Sequence, residues 1–210
     1  SVMDVVEAGA RRLALVFDDR DGALRLLDVS DPNAVSVVFT QDLCPGACPA
    51  VRVAGQVSVS GNTTYVAYHN PTTRTLYYDS FGLAEAPVFA QIDAATWSGS
   101  DLRMHVSGNT PYFISMERKA ANVRRLVHIK PFGANWIKTT LVDDIGMPDS
   151  VSAPILDSIT YLNPLGIMPT TKAIAVLSRQ TQQLVAPFAT IYSFERAEFS
   201  LANPATPVTT

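Results

Sequence analysis

Val59-Ser60-Gly61-Asn62-Thr63-Thr64-Tyr65 returns later in the chain as Val106-Ser107-Gly108-Asn109-Thr110-Pro111-Tyr112, with a single substitution. A Gly-Asn pair between two apolar runs is a hairpin signal, because glycine supplies the positive φ that a two-residue turn demands. A hairpin that recurs after some 40–50 residues is the mark of a repeat architecture. Working outward from the first copy, Tyr65-Val66-Ala67-Tyr68-His69-Asn70 leads through polar Pro71-Thr72-Thr73-Arg74 into Thr75-Leu76-Tyr77-Tyr78-Asp79-Ser80-Phe81-Gly82. Aromatic and β-branched residues fill both runs, and turn formers separate them.

The second copy continues Tyr112-Phe113-Ile114-Ser115-Met116, a polar turn over 117–122, then Val123 to Ile129, closing on Phe132-Gly133. Upstream, Leu13 to Phe17, a turn over Asp18 to Gly22, and Ala23 to Val29 fit the same template, with Gly9 in the turn position. Downstream, Ala173 to Leu177, a turn over Ser178 to Gln182, and Gln183 to Phe188 fit it without the glycine. Each copy is preceded by a further strand: Val2–Val6, Gln56–Val59, Leu102–Val106 and Ile155–Tyr161. Each is also followed by one: Val35–Phe39, Pro87–Ile92, Trp136–Val142 and Glu198–Leu201.

Four antiparallel strands per repeat make a propeller blade, and no sustained 3.6-residue apolar period argues for a helix. The expected fold is all-β: a β-propeller-like array of four four-stranded antiparallel blades, at about 1–43, 49–95, 98–145 and 150–202. Residues 203–210, rich in proline and threonine, read as a tail or linker. A solenoid or sandwich competes, but a sandwich does not account for the repeated turn. Four blades make a tight ring, so the expectation is a segment of a larger propeller with exposed blade faces. A compact four-bladed ring is the alternative.

With 210 residues the chain has length enough for a sizeable core. Charged residues are 17% of the sequence and the net charge is −3, spread without a basic stripe, which argues against nucleic acid as a partner. No apolar run approaches the ~18 residues of a membrane span. The Ser-Val-Met-Asp start has the look of a mature or excised piece whose targeting segment is gone.

Cys44 and Cys48, in Cys44-Pro45-Gly46-Ala47-Cys48-Pro49, read as a disulfide pinching a tight turn, which implies an oxidising, extracytoplasmic compartment. Free thiols, a redox pair or half of a metal site are the other readings, and a redox pair normally has two residues between its cysteines.

The nucleophile elbow, the phosphate-binding loop, the dinucleotide fingerprint and the zinc-protease helix are absent, so no cofactor and no metal are expected. Asp18-Asp19-Arg20-Asp21-Gly22 has part of a calcium-loop pattern but reads first as a hairpin turn, with Gly22 at positive φ. Asp143-Asp144-Ile145-Gly146 with Asp149 reads as a solvated connection rather than a pair of catalytic carboxylates. His69, His105 and His128 are expected to be structural, and Tyr65, Tyr68, Tyr77, Tyr78 and Tyr112 to pack between blades. Asn62-Thr63-Thr64 matches the glycosylation acceptor pattern and reads as a polar turn.

At Gly61-Asn62, Tyr65-Val66-Ala67-Tyr68 and Leu76-Tyr77-Tyr78 the chain resembles exported bacterial β-propeller repeat proteins, loosely similar to the sialidase or Asp-box propellers. The resemblance covers 49–145 best, and Trp136–Val142 matches its later Trp-led strand. The Asp-box turn itself is missing; Asp93-Ala94-Ala95-Thr96-Trp97 matches only its tail. The expected function is a non-enzymatic binding or scaffolding module, with a glycan-acting hydrolase as the alternative. Its partners would be a protein, a glycan or further blades from another chain. The hairpin turns at Asp19, Arg74 and Lys119 are the candidate ligand-contacting positions, since turns on a rigid scaffold carry recognition.

Overall fold

The computed structural model describes residues 1–44, 53–70, 72–93, 101–120, 123–146, 155–162, 172–183, 189–200 and 208–209. The described residues are all strand, turn or loop, with no helix and so none long and apolar enough to cross a membrane. Four antiparallel sheets of four strands each follow one another along the chain. The first holds β1 (Val2–Ala8), β2 (Arg11–Asp18), β3 (Ala23–Asp28) and β4 (Ser36–Asp42). The second holds β5 (Gly55–Ser60), β6 (Thr63–Asn70), β7 (Thr75–Gly82) and β8 (Ala90–Asp93). The third holds β9 (Asp101–Ser107), β10 (Thr110–Ala120), β11 (Val123–Phe132) and β12 (Asn135–Gly146). The fourth holds β13 (Ile155–Leu162), β14 (Lys172–Gln183), β15 (Ala189–Ser200) and β16 (Val208–Thr209). Within every sheet sequence neighbours are spatial neighbours, the meander that a blade requires.

The repeated turn behaves as its residues dictate. Ser60 pairs with Thr63 across a two-residue turn, with Gly61 at φ 59°. Gly108 repeats the geometry at φ 61°, and neither Asn62 nor Asn109 has a positive φ. Positive φ at the first central residue alone is the II′ pattern, whose twist suits a hairpin. A Cβ placed at either glycine meets nothing within 4 Å, so the requirement is the backbone angle and not space.

The chain forms two compact units, Ser1–Phe113 and Ile114–Thr210. In the first, alternation along β2 turns Leu13, Leu15 and Phe17 to one face, joined by Leu24 and Leu26 of β3 and Phe39 of β4. These meet Val57 of β5, Val66 and Tyr68 of β6 and Phe81 of β7, so the first two sheets pack face to face. Leu15, Leu24, Leu26 and Val66 are fully buried, each such side chain contributing about 1.5–3 kcal/mol of transfer free energy. The Phe39 ring meets Phe81 edge-on at 5.9 Å and Phe89 at 5.3 Å, and Tyr68 stacks on Tyr77 at 5.6 Å. Side chains of the first sheet close on the backbone at Gly55, where a Cβ would lie 2.8 Å from Met3 Cε and 2.9 Å from Leu15 Cδ2. The second and third sheets meet at the repeated turns: Ser60 Oγ donates to Gly108 O at 3.0 Å, and Tyr65 Oη to Asn109 Oδ1 at 3.4 Å. Tyr78 meets Phe113 edge-on at 5.5 Å, so tyrosines do pack between blades.

The other face of the first sheet carries the register row Val5, Ala14, Leu27 and Val37. Val5 is 50% exposed and Val37 58%, while Ala14 between them is buried.

In the second unit Glu117 of β10 is buried between two cations. Its Oε2 accepts from Arg125 Nε at 2.7 Å and its Oε1 from Lys138 Nζ at 2.9 Å. His128 on β11 is buried, and desolvation, followed by the charge of Lys130, lowers its pKa to about 4.

Three expectations are corrected in this unit. Ser178 to Gln182 is no turn: those residues lie inside β14, paired with Phe194 to Thr190 of β15. Asp143-Asp144-Ile145-Gly146 ends β12 instead of forming a loop, Ile145 and Gly146 pairing with Arg124 and Val123. Within the supposed tail, Val208 and Thr209 form β16, paired with Glu198 and Ala197. In each case a ladder of backbone hydrogen bonds runs past the end of the apolar pattern, and backbone bonds do not depend on side-chain polarity.

Candidate functional site

Strands β1, β5 and β9 each open their sheet, and therefore each has one unpaired edge. Within the first unit these strands lie side by side, β1 against β5 and β5 against β9. Edges carry backbone donors and acceptors that a sheet leaves unused, and the side chains beside them are unusual for otherwise apolar strands. Asp4 interrupts Val2-Met3-Asp4-Val5-Val6, and Arg103 and His105 interrupt Leu102-Arg103-Met104-His105-Val106.

Asp4 reaches from the first sheet to the second. Its Oδ2 accepts the N–H of Val57 at 2.8 Å, a donor on the unpaired edge of β5, and its Oδ1 accepts the N–H of Val5 at 3.0 Å. Burial raises the Asp4 pKa above the ordinary carboxylate value, against the opposing pull of both N–H bonds and of the Arg103 charge. Arg103 is partly buried and donates from Nη1 to Leu102 O at 3.2 Å. Among the described residues it forms no ion pair. Burial lowers the pKa of His105, two residues further along β9. A carboxyl held toward its protonated form, within the field of a guanidinium two strands away on β9, can donate a proton and hold a charged or hydroxylated group. Among the described residues no group of three His, Cys, Asp or Glu side chains is placed to hold a metal ion.

Two of the candidates named from sequence lie in turns that Leu43 bridges at one end of the first unit. Asp19 is exposed in the β2–β3 turn, and Arg74 is exposed in the β6–β7 turn. The two turns share a hydrogen-bond pattern. Asp18 Oδ1 accepts the N–H of Arg20 at 3.1 Å while Gly22 N–H returns to Asp18 O at 2.9 Å. Asn70 Oδ1 accepts the N–H of Thr72 at 2.8 Å while Arg74 N–H returns to Asn70 O at 2.8 Å. Arg74 thus takes the place of Gly22, at φ 59° against 72°, an uncommon left-handed conformation for a side-chain-bearing residue. Between the turns runs Leu43, whose N–H donates to Gly22 O at 3.0 Å and whose O accepts from Thr72 Oγ1 at 3.0 Å.

Asp18 and Asp21 of the first turn are ion-paired, Arg25 bridging them, and the calcium-loop pattern is spent on the turn itself. Lys119 lies within β10, one residue from its end, rather than in a turn. Cys44 is buried beside Leu43, and Cys48 lies outside the described residues. A shallow cleft of about 400 Å³, lined by Arg11, Asp28, Ser36, Val37 and Leu83, sits at the opposite strand ends.

Sequence reading passed over Asp4 and Arg103 and set His105 aside as structural. The available signal was a charged residue in the middle of a strand that otherwise reads as core.

No protein-family model matches the chain. No curated protein matches it either. Among solved structures it is similar to a thermostable family-43 glycoside hydrolase, at 10% identity and a TM-score of 0.50, over 99% of this chain and 70% of that one. An α-L-arabinofuranosidase from Clostridium thermocellum follows, at 11% identity and a TM-score of 0.49, over 90% of this chain and 70% of that one. A sucrose-6-phosphate hydrolase from Lactobacillus gasseri matches at 12% identity and a TM-score of 0.43, over 98% of this chain and 47% of that one. None of these is a sialidase, so the sialidase and Asp-box part of the resemblance gains nothing from them. At such identities a likeness speaks for the fold, and the fold is propeller-like, built of four-stranded antiparallel sheets.

Proposed function

We propose that the chain is an extracytoplasmic, glycan-acting propeller protein of the hydrolase type, with its site on the edges of β1, β5 and β9. The observation that carries this reading is Asp4, a carboxyl raised in pKa by burial, which reaches the β5 edge and feels the charge of Arg103. Glycosidic cleavage needs a carboxylic acid able to protonate the leaving oxygen near neutral pH. Asp4 is the group in the first unit whose surroundings push it that way, and in this reading it is the proton donor. The likeness to a family-43 glycoside hydrolase is compatible with this and supplies only the scaffold.

The test is release of reducing ends from a panel of polysaccharides and aryl glycosides. Asp4→Asn should lower the rate by about 10²–10⁴-fold, the usual contribution of a general acid. An unchanged rate in Asp4→Asn, or a folded protein that neither binds nor cleaves any member of the panel, would defeat it.

One observation favours a second reading, a non-catalytic binding or scaffolding module. Both Asp4 oxygens already accept backbone N–H groups, as they would in a purely structural bridge. Binding of a glycan with no turnover, unaffected by Asp4→Asn, would select that reading. The compartment rests on a Cys44–Cys48 disulfide, a tight closure that oxidising surroundings preserve. Mass spectrometry after alkylation without reduction should find both cysteines unlabelled; two labelled thiols would remove the support for export.

A further inference from the structure

The chain carries a formal net charge of −3, so its overall field does not draw anions in, and any preference for one must be local. Three other arginines in the described residues have their charge answered, and Arg11 and Arg20 are exposed to solvent. Arg12 is paired with Glu7, Arg25 with Asp18 and Asp21, and Arg125 with the buried Glu117. Arg103 is different. It is partly buried on the edge strand β9, donates to the carbonyl of its neighbour Leu102, and has no ion pair among the described residues. A guanidinium carries five N–H donors in a planar fork, and one is accounted for here. The acid whose charge Arg103 feels, Asp4, has both oxygens committed to Val57 and Val5 N–H groups rather than to the guanidinium.

A partly desolvated cation with an unused fork is the arrangement that binds a carboxylate, sulfate or phosphate in two parallel hydrogen bonds. The adjoining edges of β5 and β9 add backbone groups suited to hydroxyls. Resting on the glycan reading above, we propose that Arg103 recognises an anionic group on the sugar, so that the ligand is an acidic glycan rather than a neutral one. The acidic group binds the fork, and the neighbouring ring lies along the strand edges toward Asp4. The same fork takes an inorganic oxyanion, and the experiment separates that from a sugar.

The test is calorimetric titration of the folded protein with oligogalacturonate, with the neutral oligogalactan of equal length, and with inorganic sulfate. The acidic oligosaccharide should bind about tenfold or more tighter than the neutral one, the value of one charge-assisted hydrogen-bonded contact. Arg103→Gln should remove that preference and leave the neutral affinity unchanged, and Arg103→Lys should restore part of it. Urea midpoints matched to wild type certify that each variant is folded. Equal binding of both sugars, or a preference that survives Arg103→Gln, overturns the inference and leaves the glycan reading standing. If neither sugar binds, the glycan reading falls and this inference with it, even where sulfate binding depends on Arg103.

Discussion

Gly55 offers the sharpest test of how the first two sheets are joined. Its φ is not positive, so alanine is compatible with the backbone and would stabilise by about 0.4–1 kcal/mol through the unfolded chain alone. The added Cβ, however, would stand 2.8 Å from Met3 Cε, 2.9 Å from Leu15 Cδ2 and 3.4 Å from Ala67 O. The first two distances are well inside van der Waals contact, and overpacking of this kind costs about 1–3 kcal/mol. The Met3 methyl is the end of a flexible chain and yields easily. Leu15 is fully buried and does not. Gly55→Ala should therefore destabilise by about 1–2 kcal/mol net, a fall in Tm of roughly 2–4 °C per kcal/mol for a chain of this size.

Urea denaturation followed by far-ultraviolet circular dichroism reads the change. Met3→Ala, made alone and together with Gly55→Ala, closes a double-mutant cycle. The double variant should lose less than the sum of the singles by about 0.5–1 kcal/mol, because truncating Met3 leaves room on one side of the new methyl for it to shift away from Leu15. A Gly55→Ala variant more stable than wild type, combined with strict additivity, would show that the two sheets do not approach each other as described.

Gly61→Ala and Gly108→Ala create no contact at all, so each should cost only the left-handed backbone penalty, about 1–2 kcal/mol by urea midpoint. A loss far above this at either site would mean that the glycine is there for packing. The buried His128 gives a pH dependence with a definite sign. Its folded pKa near 4 lies below the ordinary histidine value of 6.5, so between those limits the unfolded chain binds more protons. The stability this group contributes is complete above pH 6.5 and is lost as pH falls toward 4, by about 2–3 kcal/mol. His128→Gln should flatten that slope in urea midpoints measured at pH 7 and 4.5; an identical slope in the variant would refute the assignment.

What the sequence made legible were features decided within a few residues. Gly61-Asn62 and Gly108-Asn109 announce their hairpins because only glycine takes the required angle cheaply. The alternation of Leu13, Leu15 and Phe17 announces a strand with one buried face. The fourth sheet was harder, since Ser178 to Gln183 is uniformly polar yet pairs residue for residue with Phe194 to Ala189. A hairpin that extends past its core leaves no hydrophobic period to read. The inner-edge site was hidden for another reason. Asp4, Val57 and Arg103 belong to three different sheets, and their proximity depends on how those sheets stack. Arg74 was picked out as a turn residue, but its left-handed backbone was not foreseeable from a position where glycine is the ordinary choice.

The shared hydrogen-bond pattern of the β2–β3 and β6–β7 turns has a practical consequence. Each opens on an Asx side chain that caps the loop, and each closes by returning an N–H to the same residue's carbonyl. The loops that follow Asp18 and Asn70 should therefore exchange as cassettes with the flanking strands kept in place, and randomised loops installed there would turn this scaffold into a display platform.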